Sequence, residues 1–285
     1  MKIRELLLEG ENTLKDAEKI SARNDALLLL SFLLNMDRGK MFLAFENDAP
    51  ESLIERYREV IHQRAAGVPL QHITGISEFM GLAFKVTPEV LIPRNETELL
   101  VEEALKLISP NMKVLELCTG SGCIALSILK LYNSVSVTAA DISEGAIYVA
   151  KENAKNMGIP IGKDSGKIEL VQGDLFEPVE GTYDLIIVNP PYIKSGDIKD
   201  LMKEVREHDP VIALDGGADG LYFYRRLFYE AKDYMNDEAY LLLEIGQDQA
   251  KEVLELAGES YHNIKVMKDY SQMDRIVQMQ KKPGS

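Results

Sequence analysis

Val114-Leu115-Glu116-Leu117 leads directly into Cys118-Thr119-Gly120-Ser121-Gly122-Cys123, and Ile124 to Tyr132 then repeat apolar side chains at helical spacing. A short apolar run, a glycine turn and a helix make a strand–turn–helix unit of the kind that receives a ligand. The glycines let a ligand approach the backbone closely. The first turn of the helix offers amide donors that the helix itself cannot use. In open α/β sheets, ligands bind beyond the carboxyl ends of the strands. The spacing is G-x-G rather than G-x-G-x-x-G, so the turn alone is equally compatible with a structural corner.

The next apolar run, Val135 to Ala140, ends at Asp141. That is about 20 residues beyond the turn, where a carboxylate can take both hydroxyls of a ribose. The turn lacks the G-K-[ST] sequence that cradles phosphates. Glu116 stands among Val114, Leu115 and Leu117, and a carboxylate there is costly unless paired. The ammonium of an amino-acid cofactor would pair it, directly or through a water. A surface-facing position at a sheet edge is the other reading. Adenosine plus an amino acid without phosphates points to S-adenosylmethionine over NAD.

Further along, strands and helices alternate. Glu144 to Met157 reads as a helix, Ile168 to Val171 as a strand and Tyr183 to Val188 as another. A helix over Tyr222 to Met235, a strand over Tyr240 to Ile245 and a helix over Gln249 to Ala257 follow. The last strands are read near Ile264-Val266 and over Arg275 to Met279. Apolar, β-branched runs without alternation predict strands buried on both faces, as in a parallel sheet covered by helices. The fold class is therefore α/β.

Upstream the character differs. Ile3, Leu6, Leu7, Leu14 and Ala17, then Ala26 to Leu34, then Leu53, Ile54, Tyr57, Val60 and Ile61 recur at helical spacing. Asn24 and Asp25 are read as capping residues, with Gly10, Gly39 and Pro50 as punctuation. Gly75, Gly81 and Pro88 bound a predicted hairpin, and Glu96 to Ile108 is again helical. The expected organisation is a helical substrate-recognition domain over 1–70, a hairpin and linker over 71–92 and a catalytic domain over 93–285.

The strand Tyr183 to Val188 runs into Asn189-Pro190-Pro191-Tyr192. Two prolines remove two amide donors and fix two φ angles, so the segment is stiff and cannot continue a sheet. A planar NH2 group has two in-plane donors. The Asn189 side-chain oxygen and the Pro190 carbonyl are placed to take one each, with Tyr192 offering a flat face. Methyl transfer needs in-line approach, and positioning alone can lower such a barrier by roughly 7–11 kcal/mol.

Composition narrows the partners. The chain carries 46 acidic and 32 basic side chains, a formal net charge of -14. Such a chain lacks the general attraction to phosphates that drives nucleic-acid binding, and it favours a basic partner. Its two cysteines, Cys118 and Cys123, and four scattered histidines form neither a disulfide framework nor a metal site. No signal-like segment or membrane-length apolar run is present, so the expected compartment is the cytoplasm.

Asn189 to Tyr192 resembles the NPPY motif of amino-methyltransferases with the seven-stranded, mostly parallel, Rossmann-like methyltransferase sheet. The stretches Pro69 to Gly75, Leu91 to Leu100 and Ala213 to Leu221 resemble the release factor glutamine methyltransferase family in particular, as do Glu244 to Gln247 and Asp274-Arg275. The resemblance implies that S-adenosylmethionine is held by Glu116, Cys118, Thr119, Gly120, Ser121, Gly122, Asp141 and Ile142, with Asp174 and Leu175 bordering its adenine and Asn189 beside its methyl. It implies that Asn189, Pro190, Pro191 and Tyr192 hold the glutamine of a Gly-Gly-Gln loop in a peptide-chain release factor, with Asn189, Pro190 and Tyr192 as the catalytic set. Arg94 is a candidate for the substrate channel, for packing between domains or for a plain salt bridge. Three positions depart from the family pattern: Cys118 where glycine is usual, Glu116 where aspartate is common, and Asn95 where proline follows Ile-Pro-Arg. NPPY is shared with DNA and RNA amine methyltransferases, so a nucleic-acid amine, adenine above all, is the alternative substrate. A non-catalytic cofactor-binding role is the third reading. The expected working unit is a monomer with no stable nucleic-acid or membrane partner.

Overall fold

A computed structural model describes residues 1–284 of the chain, which fold into two compact units. The first contains residues 1–76 together with 203–208. Helices α1 (Ile3–Asp16), α2 (Ala22–Leu34), α3 (Arg38–Ala44), α4 (Glu51–Ala66) and α5 (Leu70–Thr74) build it. Leu6, Leu14, Leu29, Leu30, Met41 and Tyr57 form its buried centre.

Two local expectations fail here. Helix α2 begins at Ala22, so Asn24 and Asp25 lie inside it rather than capping it. Asp25 is buried and accepts from Arg64 Nε at 2.7 Å, so a core ion pair takes the carboxylate that a cap would have used. Gly10 likewise sits inside α1. Tyr57 packs over it so closely that an added Cβ would lie 2.2 Å from the phenol oxygen. The glycine is there for close approach.

The second unit covers 77–202 and 209–284 of the described chain. The hairpin strands β1 (Ile76–Phe79) and β2 (Leu82–Lys85) flank Met80 and Gly81, both at positive φ, as a type I′ turn requires. Helix α6 (Asn95–Leu107) follows, with Asn95 at its first helical position. Proline is favoured there because that amide has no partner within the helix, so the family's usual proline and this asparagine are both tolerated.

The remaining elements alternate in the expected order. They are β3 (Lys113–Leu117), α7 (Cys123–Leu131), β4 (Ser136–Asp141), α8 (Glu144–Asn156), β5 (Ile168–Gln172) and β6 (Tyr183–Val188). Helix α9 (Lys203–His208), which falls in the first unit, comes next; α10 (Tyr222–Glu230), β7 (Met235–Glu244), α11 (Ala250–Ala257), β8 (Tyr261–Lys268) and β9 (Asp274–Lys281) complete the chain. The seven strands form one sheet in the order β5-β4-β3-β6-β7-β9-β8. It is parallel except for β9, which runs antiparallel to both β7 and β8. Helices cover both faces. Val114, Val137, Leu185 and Ile187 pack against side chains of α6, α7 and α8. Leu115, Leu117, Ile186 and Val188 pack against Tyr224, Leu227 and Val253 of α10 and α11. Alternate residues of each central strand thus serve opposite cores, which is why the sequence shows no polar alternation. Each such side chain contributes about 1.5–3 kcal/mol on burial. Among the described residues, no helix is long and apolar enough to cross a membrane.

The chain reverses its direction of growth at β3, which has β4 on one side and β6 on the other. The turn after β3 is left-handed at Cys118 (φ 59°), Gly120 (φ 54°) and Gly122 (φ 78°). Glycine suits all three positions; cysteine at the first carries a left-handed strain of about 1–2 kcal/mol. This is the physical meaning of the departure from the family pattern at Cys118.

Two stability changes follow. Gly10→Ala lowers the unfolding free energy by about 1–3 kcal/mol in urea titration, because overpacking against Tyr57 outweighs the gain in helix propensity; a more stable variant would refute the packing account. Cys118→Gly keeps or raises the melting temperature, whereas Cys118→Val, β-branched at positive φ, lowers it. Equal melting temperatures for the two variants would show that the backbone there is unstrained.

Candidate active site

The sheet register brings the site together. Leu117 is paired with Ala140 on one side and Val188 on the other, and Val188 is paired in turn with Leu243. The residues one step beyond these pairs are Cys118, Asp141, Asn189 and Glu244. Four strands thus deliver their chemistry-bearing residues to one edge of the sheet, outside their carboxyl ends and at the point where strand order reverses.

A cavity of about 260 Å³ opens there. Its wall includes Arg94, Cys118, Thr119, Gly120, Ser121, Asp141, Ile142, Asp174, Leu175, Asn189 and Pro191. Four other predicted residues stand outside that wall: Glu116, Gly122, Pro190 and Tyr192. Gly122 caps α7 at positive φ, where a Cβ would press on Leu126 and Ala150. Pro190 is buried and Tyr192 half-buried.

Glu116 is 1 % exposed in the central strand β3, so the edge-strand reading of its carboxylate does not hold. Its Oε2 accepts from the Thr119 hydroxyl at 2.6 Å and from the Ala125 amide at 3.1 Å, in the first turn of α7. Its Oε1 is buried with no protein partner among the described residues. Burial pushes this carboxyl from the usual 4.5 up to about 8, opposed by those two hydrogen bonds and reinforced by the charge of Asp141. Asp141 is held by two amides: Gly120 N donates to Oδ2 at 2.8 Å and Ser143 N to Oδ1 at 2.9 Å. Burial raises its pKa, and these donors oppose the rise. Burial also pushes the Cys118 and Cys123 thiols up, which disfavours their nucleophilic thiolate forms.

Both arginines in the wall are already paired. Arg94 Nη2 donates to the buried carboxylate of Asp209, so the salt-bridge reading of Arg94 describes the contact that is formed. Arg226 Nη1 donates to both oxygens of Asp174 at 2.8 Å, fixing that carboxylate beside Leu175, itself at φ 51°. Among the described residues, no group of three or more His, Cys, Asp or Glu side chains could hold a metal ion.

Asn189 Nδ2 donates to Thr97 Oγ1 at 3.3 Å, which leaves the carboxamide oxygen as the free acceptor. The Tyr192 hydroxyl donates to Glu244 Oε1 at 3.4 Å, and burial with the neighbouring Glu244 charge holds the phenol protonated. Behind this segment, Ile193 N donates to Leu214 O and Gly216 N to Ile193 O. A Cβ on Gly216 would lie 2.7 Å from the Tyr192 Cα. The glycines of the Asp215 to Gly220 loop let it lie flat on the NPPY backbone; this loop braces the segment.

Sequence reasoning missed Thr97, Arg226 and Glu244 as individual site residues. Thr97 and Arg226 sit on helices whose apolar periodicity gave no polar signal. Glu244, however, carried a mark like that of Glu116: a carboxylate in an apolar strand, here following Tyr240 to Leu243.

These features have counterparts among known proteins. A family model described as the PrmC N-terminal domain matches residues 5–75, and one described as the methyltransferase small domain matches residues 95–217. The chain is 40% identical to the release factor glutamine methyltransferase of Clostridium acetobutylicum, over 97% of this chain and 98% of that one. It is 39% identical to that of Geobacter sulfurreducens, over 90% and 89%. Among solved structures, a methyltransferase from Pyrococcus furiosus superposes with a TM-score of 0.53 at 20% identity, covering 80% of this chain and 98% of that one. A 16S rRNA N2 G1207 methyltransferase of T. thermophilus also gives 0.53, at 14% identity over 73% and 50%. At those identities the two structures share the fold alone, whereas the two relatives match at 40% and 39% identity over nearly their whole length: the chain belongs to the release factor glutamine methyltransferase family.

Proposed function

We propose that this protein transfers a methyl group from S-adenosylmethionine to the side-chain amide nitrogen of the glutamine in the Gly-Gly-Gln loop of a peptide-chain release factor. The observation that carries the reading is the polarity of Asn189, whose NH2 is turned to Thr97 so that its oxygen is left to accept. A glutamine NH2 presents two donors. The Asn189 oxygen and the Pro190 carbonyl take them, which fixes the plane of the amide and aims its nitrogen. Pro191 stiffens the segment, and the loop at Gly216 braces it from behind. Proton loss from the nitrogen goes to solvent in this reading.

The cavity fits the cofactor on its own chemistry. Gly120 has open space above its backbone, and a Cβ built there meets nothing within 4 Å. Asp141, pinned by two amides, would take the ribose hydroxyls, and Asp174 with Leu175 would border the adenine. Both basic groups of the wall are paired, so phosphates find no counter-charge, which suits a phosphate-free adenosine. S-adenosylmethionine supplies an electrophilic methyl on a sulfonium. Glu116 lies behind the turn, where its carboxyl ties the Thr119 hydroxyl to the Ala125 amide of α7. We assign residues 1–70 to recognition of the release factor, 71–92 to the connector and 93–285 to methyl transfer, in a cytoplasmic enzyme acting as a single copy.

The test is methyl transfer from labelled S-adenosylmethionine to a purified release factor, its Gly-Gly-Gln Gln→Ala variant, DNA and RNA, with the modified atom located by mass spectrometry. Label on the glutamine and none on the variant is the expected result; label on nucleic acid alone would overturn the substrate. Asn189→Ala lowers kcat about 100-fold or more, while cofactor affinity by calorimetry falls far less, because a group that orients the amide acts mainly in the transition state. Retained turnover would remove Asn189 from the catalytic set. The buried carboxyl adds a pH dependence. Folded Glu116 keeps its proton to about pH 8, whereas an unfolded glutamate loses it near 4.5. Stability of the cofactor-free protein therefore falls as pH rises through that window. Melting scans from about pH 5 to 8.5 would show a shallower decline in Glu116→Gln; identical slopes would mean that Glu116 ionises normally.

A further inference from the structure

The strand ends lay out the cavity in order. Asn189 follows β6, the glycine turn follows β3, Asp141 ends β4, and Asp174 stands just beyond the end of β5. Asp141 is paired with Gln172, and Gly173 N donates to Asp141 O at 3.0 Å. Asp174 therefore lies one strand beyond the carboxylate that would take the ribose. A cofactor with its methyl at Asn189 and its ribose at Asp141 reaches Asp174 with its base. The Asp174 side chain is 41 % exposed, so burial alone would not hold it against that base. Arg226 holds it. Nη1 of Arg226 donates to both carboxylate oxygens at 2.8 Å. The guanidinium is anchored twice more: Nε donates to Glu230 Oε1 at 3.2 Å, and Cζ lies 5.9 Å from the centre of the Tyr222 ring. Asp174, Tyr222 and Arg226 all line the cavity.

A donor shared equally by two carboxylate oxygens sits between them and leaves the outer lone pair of each oxygen open. Asp174 is thus fixed in place with acceptor capacity to spare. The 6-amino group of adenine donates, and such a lone pair can take its proton. The 6-oxo group of hypoxanthine accepts, so it would set lone pair against lone pair. We propose that Arg226 is a positioning residue for cofactor selectivity: by clamping Asp174 it makes the cavity prefer a cofactor built on a 6-aminopurine to one built on a 6-oxopurine. An unclamped carboxylate at so exposed a position turns to water, and its ordering then opposes binding. The inference deepens the S-adenosylmethionine reading and rests on it.

The test is calorimetric binding of S-adenosylhomocysteine and S-inosylhomocysteine, an amine and an oxo group at the same purine position, to the full-length protein, Arg226→Met and Asp174→Asn. Melting curves check that both variants keep the fold. The wild-type protein binds the adenosyl compound about tenfold or more tightly than the inosyl compound, as the loss of one hydrogen bond to a charged group predicts. In Arg226→Met most of that preference disappears, because the loss of affinity falls on the adenosyl compound. In Asp174→Asn, Arg226 keeps the carboxamide oxygen and leaves the NH2 to face the base, so the preference moves toward the inosyl compound. A salt bridge that served stability alone would weaken both ligands by one factor and leave their ratio untouched. Equal binding of the two compounds to the wild-type protein, or an unchanged ratio in either variant, would overturn the proposal. If neither compound binds the wild-type protein, the cofactor reading itself fails and takes the proposal with it; equal binding of both sinks the proposal alone.

Discussion

Everything at the candidate site depends on parallel register. With Leu117 opposite both Ala140 and Val188, and Val188 opposite Leu243, four strands end level with one another. The next residue of each strand enters one shared space. A slip of one residue would send every side chain of the slipped strand to the opposite face. Val114 and Leu115 show why that does not happen: they belong to different cores, each closed by its own set of helices. Hydrophobic burial on both faces therefore fixes where Cys118, Asp141, Asn189 and Glu244 meet, although of the four only Cys118 packs against that core.

Much of this was legible from residue order. The strand–turn–helix at Leu117 to Ile124, the acidic end of the following strand and the strand running into two prolines are each local patterns with a mechanical meaning, and the fold delivers them to adjacent positions. What was not legible is long-range pairing of polar groups. Asp25 reads as a cap from its neighbours, yet Arg64, 39 residues away, draws it into the core. Gly10 reads as a breaker until Tyr57 is placed over it. Thr97 looks like an ordinary helical threonine until Asn189 arrives across 92 residues. Local sequence fixes backbone options; which hydroxyl or carboxylate finishes a buried network is decided by packing that no window of residues contains.

The short helix Lys203–His208 makes the same point on a larger scale. In the chain it lies between β6 and β7 of the sheet, and nothing in its composition marks it out. It nevertheless groups with the N-terminal helices: Lys203 Nζ donates to Ala66 O at 3.0 Å, and Glu204 accepts from Lys19 at 3.0 Å and pairs with Arg64 at 2.8 Å. Arg64 thus joins Asp25 and Glu204 in one ion cluster. Because two acidic partners share one guanidinium, removing Arg64 would leave the buried Asp25 charge uncompensated, the costly way to break such a cluster.

Strain within the second unit is distributed in a way that bears on catalysis. Cys118 and Leu175 are non-glycine residues at positive φ, and both lie in the cavity wall. A side chain there costs of order 1–3 kcal/mol, and it persists only where the surroundings over-determine the backbone. For Cys118 the determinant is visible: Thr119 N is tied to Ala140 O at 3.1 Å and Gly120 N to Asp141 at 2.8 Å, so the two residues after it stitch the turn to the neighbouring strand. For Leu175 it is the preceding Asp174, clamped by Arg226. The same strand ends that level the site thus also hold its backbone in a conformation the free chain would avoid. A wall made in this way does not need to reorganise when a ligand arrives, and a rigid, pre-aimed wall is what an in-line methyl transfer asks of its protein.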